Sequence, residues 1–319
     1  MGAGFRTNSE TGIYSHAAAY AACPETELAA ICDTDEGKLT QVGEHWNVKA
    51  CYTDPTEFFV REAPEIVSIC TPDETHFNLA TVALEAPGTR AILLEKPLAM
   101  RLADAWKLVS RASERGIVLA VNYSRRYAAS HWALRETLRN GQIGRLQGLS
   151  GFYTKGLIHN GTHWLDLARF LCGEIICVQG FAGHDNDSND PTLSAWLKFD
   201  NGATAFLYGC DAEAFSIFEM DIIGTAGRVR ILDSGHQFET FVVGEDAHFA
   251  GYRSLRPTNG IDGGLRNTTL HAVEDLIDCL NHPGQQPQCS GRDALKALEV
   301  AVAVQESATR GKIVRPGGV

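Results

Sequence analysis

No segment of this chain approaches the roughly 20 consecutive apolar residues that a membrane-spanning helix needs, so no membrane-embedded function is expected. The opening residues, Met1-Gly2-Ala3-Gly4, have neither a basic cluster nor an apolar core, and no secretory signal is read there. Basic excess is missing too. Lys and Arg number 28 against 39 Asp and Glu, and the net charge is -11. That balance argues against nucleic acid or an anionic membrane as partner, since phosphate binding is driven by basic patches. An anionic small substrate stays possible, because it needs only a local basic pocket. The nine cysteines contain no C-x-x-C pair. An odd number of cysteines, set in apolar segments such as Ala30-Ile31-Cys32 and Ser68-Ile69-Cys70, reads as reduced core thiols. A cytoplasmic protein without disulfides, structural zinc or another metal is therefore expected.

What is present is ordinary globular composition, with 319 residues, 44% hydrophobic and 21% charged, enough for two domains. The most informative stretch is Ala91-Ile92-Leu93-Leu94-Glu95-Lys96-Pro97. Four apolar residues in a row read as a parallel strand buried on both faces. The run ends in a charged pair and a proline. A lysine there belongs either to solvent or to the carboxyl edge of the sheet, where open α/β folds bind ligands.

Around that strand, strands and helices alternate. Strands are expected over 27–32, 48–52, 65–70, 91–94 and 117–121. Helices are expected over 35–46, 55–61, 73–86 and 102–115, the last closed by Gly116 as a C-cap. The alternation predicts an α/β dinucleotide-binding domain over 1–122, a Rossmann-type doubly wound parallel sheet with right-handed crossovers. Gly2, Gly4 and Gly12 precede a helix that contains His16, as a phosphate cradle would, although the spacing departs from G-x-G-x-x-G at Thr7. Only Met1 precedes those glycines, so the first strand is apparently missing: the true start lies upstream, or the sheet lacks its central strand. Asp33, about 20 residues past the glycine loop, is placed to accept both ribose hydroxyls of an adenosine. It would repel a 2′-phosphate, which favours NAD over NADP. The competing reading is a turn or capping aspartate.

By this point the residues carry a resemblance. Ser68-Ile69-Cys70-Thr71-Pro72, then His76, then Glu95-Lys96-Pro97, then Asn122-Tyr123-Ser124-Arg125-Arg126-Tyr127 resemble the Gfo/Idh/MocA oxidoreductase family in order and spacing. Gly161-Thr162-His163-Trp164-Leu165-Asp166 and Cys289-Ser290-Gly291-Arg292-Asp293-Ala294-Leu295 extend the likeness over nearly the whole chain. The resemblance implies an NAD(P)-dependent enzyme acting on a sugar, an inositol or a nucleotide sugar. It places Lys96 beside the nicotinamide, exchanging a proton with the reacting hydroxyl. A lysine crowded by the cationic nicotinamide and partly desolvated has a lowered pKa and acts near neutrality. A cis Lys96–Pro97 bond would aim the side chain. The implied cofactor set is Gly2, Gly4, Phe5, Asp33, Thr71, Pro72, His76, Glu95, Lys96 and Asn122. Glu95 is expected to be structural, pairing with Lys96 or anchoring the strand end.

The second half, 123–319, reads as an α+β domain with a largely antiparallel open sheet. Its strands are expected over 146–155, 192–199, 203–208, 215–223, 228–232 and 237–243, and its helices over 134–140, 159–171, 271–280 and 292–309, the last packing back on the first domain. His163 and Asp166 are three apart and share a helical face, where they can grip and polarise a substrate hydroxyl. Their structural alternative is an inward hydrogen bond. Several relatives carry a histidine one turn after this aspartate; here it is Phe170, so His163 is the residue expected to assist Lys96. Tyr153, Lys155, His159 and Arg125 are expected to line the substrate site, their cationic groups suiting a carboxylate or diphosphate. The segment 184–190 resembles a calcium loop but has Asp190 where glycine is required and Trp196 where glutamate is, and is read as a solvated loop. Both faces of 215–223 carry apolar residues, which in the family pack on another subunit. A homodimer or homotetramer is expected.

The sequence therefore points to an NAD-dependent dehydrogenase of a sugar or nucleotide sugar. Two alternatives share the fold: redox-neutral glycoside cleavage using bound NAD, and a non-catalytic sugar-binding or regulatory dimer.

Overall fold

The computed structural model describes residues 12–183 and 188–317. Two compact units are formed. Unit 1 is Met1–Tyr127 with Arg266–Leu295, and unit 2 is Ala128–Leu265 with Lys296–Val319.

Unit 1 runs through α1 (His16–Ala22), β1 (Ala30–Cys32), α2 (Glu36–Trp46), β2 (Ala50–Tyr52), α3 (Pro55–Glu62), β3 (Ile66–Ile69), α4 (His76–Glu85), β4 (Ala91–Leu94), α5 (Leu102–Arg115) and β5 (Val118–Val121). All pairings are parallel, in two sheets among the described residues: β1–β2 and β3–β4–β5. The expected absence of a first strand falls on residues 1–11, outside those described. Asp35 caps α2 by accepting the Lys38 N–H, and Asp54 caps α3 ahead of Pro55. Ile92, Leu93 and Leu94 of the central strand are wholly buried, each contributing roughly 1.5–3 kcal/mol. The burial explains why that strand shows no polar alternation. The helix Thr268–Asn281 returns to this unit. Its buried Ala272, Val273 and Leu276 pack it on β4, β5 and α1. The sequence reading gave that return to the C-terminal helix, of which only the first turn belongs to unit 1.

Unit 2 opens with α6 (Ala129–Arg139), β6 (Leu146–Tyr153), α7 (Thr162–Cys172), β7 (Ile175–Phe181), β8 (Ser194–Phe199) and β9 (Thr204–Gly209). It continues through β10 (Phe218–Gly224), β11 (Gly227–Leu232), β12 (Gln237–Glu245), β13 (Arg253–Pro257) and β14 (Ile261–Asp262). The chain then forms α8, the Thr268–Asn281 helix of unit 1, and ends on α9 (Gly291–Arg310). The strand order is β13-β12-β11-β10-β6-β9-β8-β7, with β14 on β12. Every pairing is antiparallel except β6 with β9. One face carries helices. Trp164 of α7 lies on Gly151 of β6, where any Cβ would collide with the indole, and donates to Glu219 O at 3.0 Å. Ser307 of α9 accepts the Gly180 N–H of β7 at 2.9 Å.

Among the described residues the other face carries no helix at Phe152, Phe206 and Tyr208, which are 37%, 48% and 46% exposed. Here the strand expected over 215–223 differs. It begins at Phe218 and turns Phe218, Met220 and Ile222 inward, leaving Glu219, Asp221 and Ile223 outward. The exposed aromatic surface belongs to β6 and β9. Among the described residues no helix is long and apolar enough to cross a membrane, and none of the nine cysteines is in a disulfide.

Candidate active site

Register brings the ends of β3, β4 and β5 to one edge of unit 1. Ile69, Leu94 and Val121 lie in line. The Glu95 N–H donates to Ile69 O and the Asn122 N–H to Leu94 O, both at 2.8 Å. The Thr71–Pro72 turn, the Glu95–Lys96–Pro97 turn and Asn122 thus leave the sheet together at its carboxyl edge. The Lys96–Pro97 bond is cis and Lys96 is half-buried.

A polar chain supports this edge from below. Tyr20 OH is 2.8 Å from Ser68 Oγ, which is 3.0 Å from His16 Nδ1. His16 Nε2 donates to Glu95 Oε1 at 2.9 Å, and Asn122 Nδ2 donates to the same oxygen at 2.8 Å. Burial acts to raise the Glu95 carboxyl, but the hydrogen bond and charge of His16 and the bond from Asn122 hold it down at about 2. Glu95 is therefore a fixed anion that anchors the strand end. The sequence reading gave His16, Ser68 and Tyr20 no role at the site. The His16–Glu95 pair spans 79 residues, and only the packing of α1 on β3 brings its members together.

The cofactor-facing candidates fall into three groups. Asp33 stands exposed at the end of β1, and its Oδ1 accepts the Asp35 N–H at 2.9 Å. Thr71 and Pro72 are exposed, and Thr71 Oγ1, Thr75 Oγ1 and Pro72 O form a relay with both links 2.6 Å. Asn122 is 7% exposed and its Oδ1 has no hydrogen-bond partner. An orphaned buried acceptor at the sheet edge that also carries Lys96 calls for a donor, which the carboxamide NH₂ of a nicotinamide supplies, so these residues fit NAD. Gly2, Gly4 and Phe5 lie outside the described residues. His76 has no exposed surface. Its Nδ1 is 2.7 Å from Pro97 O and its Nε2 3.0 Å from Thr71 O, so both ring nitrogens are engaged inside the protein.

Arg125 lies half-buried in the 3₁₀ turn Ser124–Tyr127, and the neighbouring Arg126 is buried against Gln288 O and Asp293, both at 3.4 Å.

In unit 2, β6 is followed, after Thr154, by two successive residues of positive φ, Lys155 (68°) and Gly156 (81°). A lysine in that region is uncommon and marks a constrained turn. A π-helical turn, Leu157–Gly161, then leads into α7. Asp190 accepts the N–H groups of Ile158 and His159, both at 2.8 Å. The expected solvated loop is thus not solvated at Asp190; residues 184–187 lie outside those described. The reason is that N–H groups at a helix start need an acceptor. Lys155 is exposed and His159 half-buried. Tyr153 presents no surface, and its hydroxyl donates to Leu193 O at 2.8 Å, which removes it from the ligand-facing group. His163 is half-buried, edge-on to Phe218 at 6.4 Å. Asp166 is 2% exposed, with Arg169 Nη1 at 3.9 Å. Phe170 packs in the core against Trp132 and under the Arg135 guanidinium.

Comparison with known proteins completes the picture. Residues 2–123 match the model of an oxidoreductase family with an NAD-binding Rossmann fold, and residues 155–315 match its C-terminal α/β domain. D-apiose dehydrogenase of Paraburkholderia graminis is 27% identical over 317 residues, covering 90% of this chain and 82% of its own. The NAD(+)-dependent scyllo-inositol 2-dehydrogenase of Bacillus subtilis is 25% identical over 323 residues, covering 92% and 89%. A solved levoglucosan dehydrogenase, in complex with NADH and levoglucosan, shares the fold with a TM-score of 0.79 at 18% identity over 95% of both chains. With both domain models matched in chain order, the chain belongs to the Gfo/Idh/MocA family of oxidoreductases, and residues 2–123 are its NAD-binding Rossmann domain.

Proposed function

We propose that this oxidoreductase oxidises a secondary hydroxyl of a sugar or nucleotide sugar, or runs the reverse reduction, with Lys96 as the acid/base. The observation that carries the reading is one sheet edge that carries Lys96 after β4, next in sequence to an anchored Glu95, and Asn122 after β5 with a buried, unpartnered Oδ1. Relatives named for D-apiose and scyllo-inositol support the substrate class. NAD, when bound, accepts the hydride that leaves the carbinol carbon. Lys96 Nζ takes the hydroxyl proton as the carbonyl forms, and returns it in the reverse direction. Asn122 Oδ1 accepts from the carboxamide, Asp33 from the ribose hydroxyls, and the Thr71–Pro72 turn flanks the cofactor. Within unit 2, the half-buried His163 is the residue offered to a sugar hydroxyl, with the buried Asp166 orienting it rather than meeting substrate, and Lys155 and His159 supply positive charge; within unit 1, Arg125 does so.

The test is NADH formation from NAD with pentoses, hexoses, inositols and nucleotide sugars. At least one class should turn over. Lys96→Ala should lower kcat by about 10²–10⁴-fold and leave NADH binding at micromolar Kd, roughly -8 kcal/mol. Turnover that survives this substitution removes Lys96 from the chemistry. Glycan cleavage without net NADH would favour the redox-neutral alternative.

The same reading makes the chain a cytoplasmic homo-oligomer. Nine cysteines outside any disulfide support a reducing compartment. The outer face of the unit 2 sheet supports self-association. It offers Phe152 stacked on Tyr208 at 5.5 Å and the exposed Phe206, with the ion pairs Asp221–Arg228 and Arg230–Glu239 farther along the same sheet.

A further inference from the structure

Two buried histidines grip the turn that carries Lys96, one on each flanking residue. His16 is the first residue of α1 and His76 the first of α4. His16 is 2% exposed and His76 fully buried, so neither has surface with which to meet a ligand. Each is nonetheless bonded through both ring nitrogens. His16 donates from Nε2 to the Glu95 carboxylate, which only accepts, and its Nδ1 faces Ser68 Oγ. His76 faces Pro97 O with Nδ1 and Thr71 O with Nε2. Carbonyl oxygens also only accept, so this ring donates to one of them when neutral and to both when protonated.

We propose that His16 and His76 are positioning residues for proton exchange at Lys96. His16 fixes the Glu95 side of the turn. His76 fixes its Pro97 side and ties it to the Thr71–Pro72 turn. The lysine side chain is a flexible four-carbon stem, so the place of Nζ depends on how firmly its backbone is held. His16 has a second effect through Glu95. With Glu95 held as an anion, Asn122 must turn its amide nitrogen to it, and its oxygen becomes the acceptor offered at the sheet edge. Loss of His16 frees that amide to rotate. Apolar side chains of similar size would fill both positions at lower desolvation cost. The imidazoles therefore serve the polar contacts rather than volume.

This inference rests on Lys96 being the acid/base, and the experiment separates the two. His16→Leu, His76→Leu, His76→Gln and Lys96→Met are compared with wild type in three measurements. These are kcat against KM for NAD, NADH binding by fluorescence, and the pH dependence of Lys96 acetylation by acetic anhydride in the NAD-free protein, read by mass spectrometry. The two leucine variants should lose about 10–100-fold in kcat, the effect of misplacing a reacting group by an ångström or less. NADH affinity should change far less, and the Lys96 acetylation curve should move along the pH axis. His76→Gln, which restores one donor, should recover part of the loss. Folded leucine variants with wild-type kcat and wild-type acetylation overturn the inference. If the leucine variants do not fold, Ser68→Ala leaves both histidines in place and removes the Nδ1 partner of His16, together with the hydroxyl that Tyr20 meets. It should give a smaller loss with the same displacement of the curve, and wild-type behaviour there overturns the inference equally. Retention of turnover in Lys96→Met overturns the acid/base reading and this inference with it. Its loss beside unaffected histidine variants overturns this inference alone.

Discussion

Half-buried Glu95 and buried Asp275 are carboxylates whose surroundings push them in opposite directions. Glu95 has two side-chain donors and is held at about 2 despite its burial. Asp275 accepts one backbone N–H, from Gln288 at 2.9 Å, and burial with the nearby Asp278 pushes it up to about 6. The consequences for stability have opposite signs. Glu95 titrates lower in the folded chain than in the unfolded one, so its contribution is present above about pH 4.3 and is lost as the pH falls toward 2. Folded Asp275 keeps a proton that the unfolded chain releases above about pH 3.9, so stability falls as the pH rises from there to about 6 and then levels. Asp275→Asn keeps an acceptor for the Gln288 N–H and removes the ionisation. It should melt higher than wild type at pH 7, by roughly 1–3 kcal/mol in stability, and lose that advantage near pH 4. Thermal melts across this range check it, and a pH-independent difference would refute the assignment.

At the scale of elements, the start of α7 depends on a residue from another segment. Asp190 closes the π-helical turn at 157–161 through two backbone N–H groups, and Gly156 passes so close that a Cβ there would strike its carboxylate. Asp190→Ala leaves both N–H groups without that acceptor and should cost about 1–3 kcal/mol. Lys155 and His159 flank the loosened turn. KM for the sugar should therefore rise more than kcat falls, and Asp190→Asn should restore part of both. Denaturant titration with steady-state kinetics measures the two effects, and an unchanged KM in a destabilised variant would confine Asp190 to a structural role. The sequence could not disclose this cap. Its only local signal was an acidic loop, and the backbone groups it serves are 31 and 32 residues away.

The whole molecule should be an assembly of copies joined through the outer face of the unit 2 sheet. Phe206→Asp with Tyr208→Asp places two charges in the exposed aromatic patch. Sedimentation should show wild type at a multiple of the chain mass and the double variant at a smaller multiple, with NADH binding kept because the substitutions lie outside the Rossmann domain. An unchanged mass would move the interface to another surface.

Local chemistry was enough to read much of this protein from its sequence. The apolar run ending at Glu95-Lys96-Pro97 fixed a buried parallel strand with a lysine at its mouth, because unbroken apolar residues leave no solvent face. Strand–helix alternation gave the parallel unit, and the ordered motifs gave the family. Tertiary structure alone decided whatever depends on pairs distant in sequence. It joined His16 to Glu95, placed His76 between two carbonyls, put Asp190 under α7, and sent α8 back to the first unit. It also turned Tyr153 inward and left Phe206 and Tyr208 outside. The physical reason is the same in each case. A polar side chain carries no record in sequence of which buried partner will satisfy it, and strand alternation alone does not say which face a helix will cover.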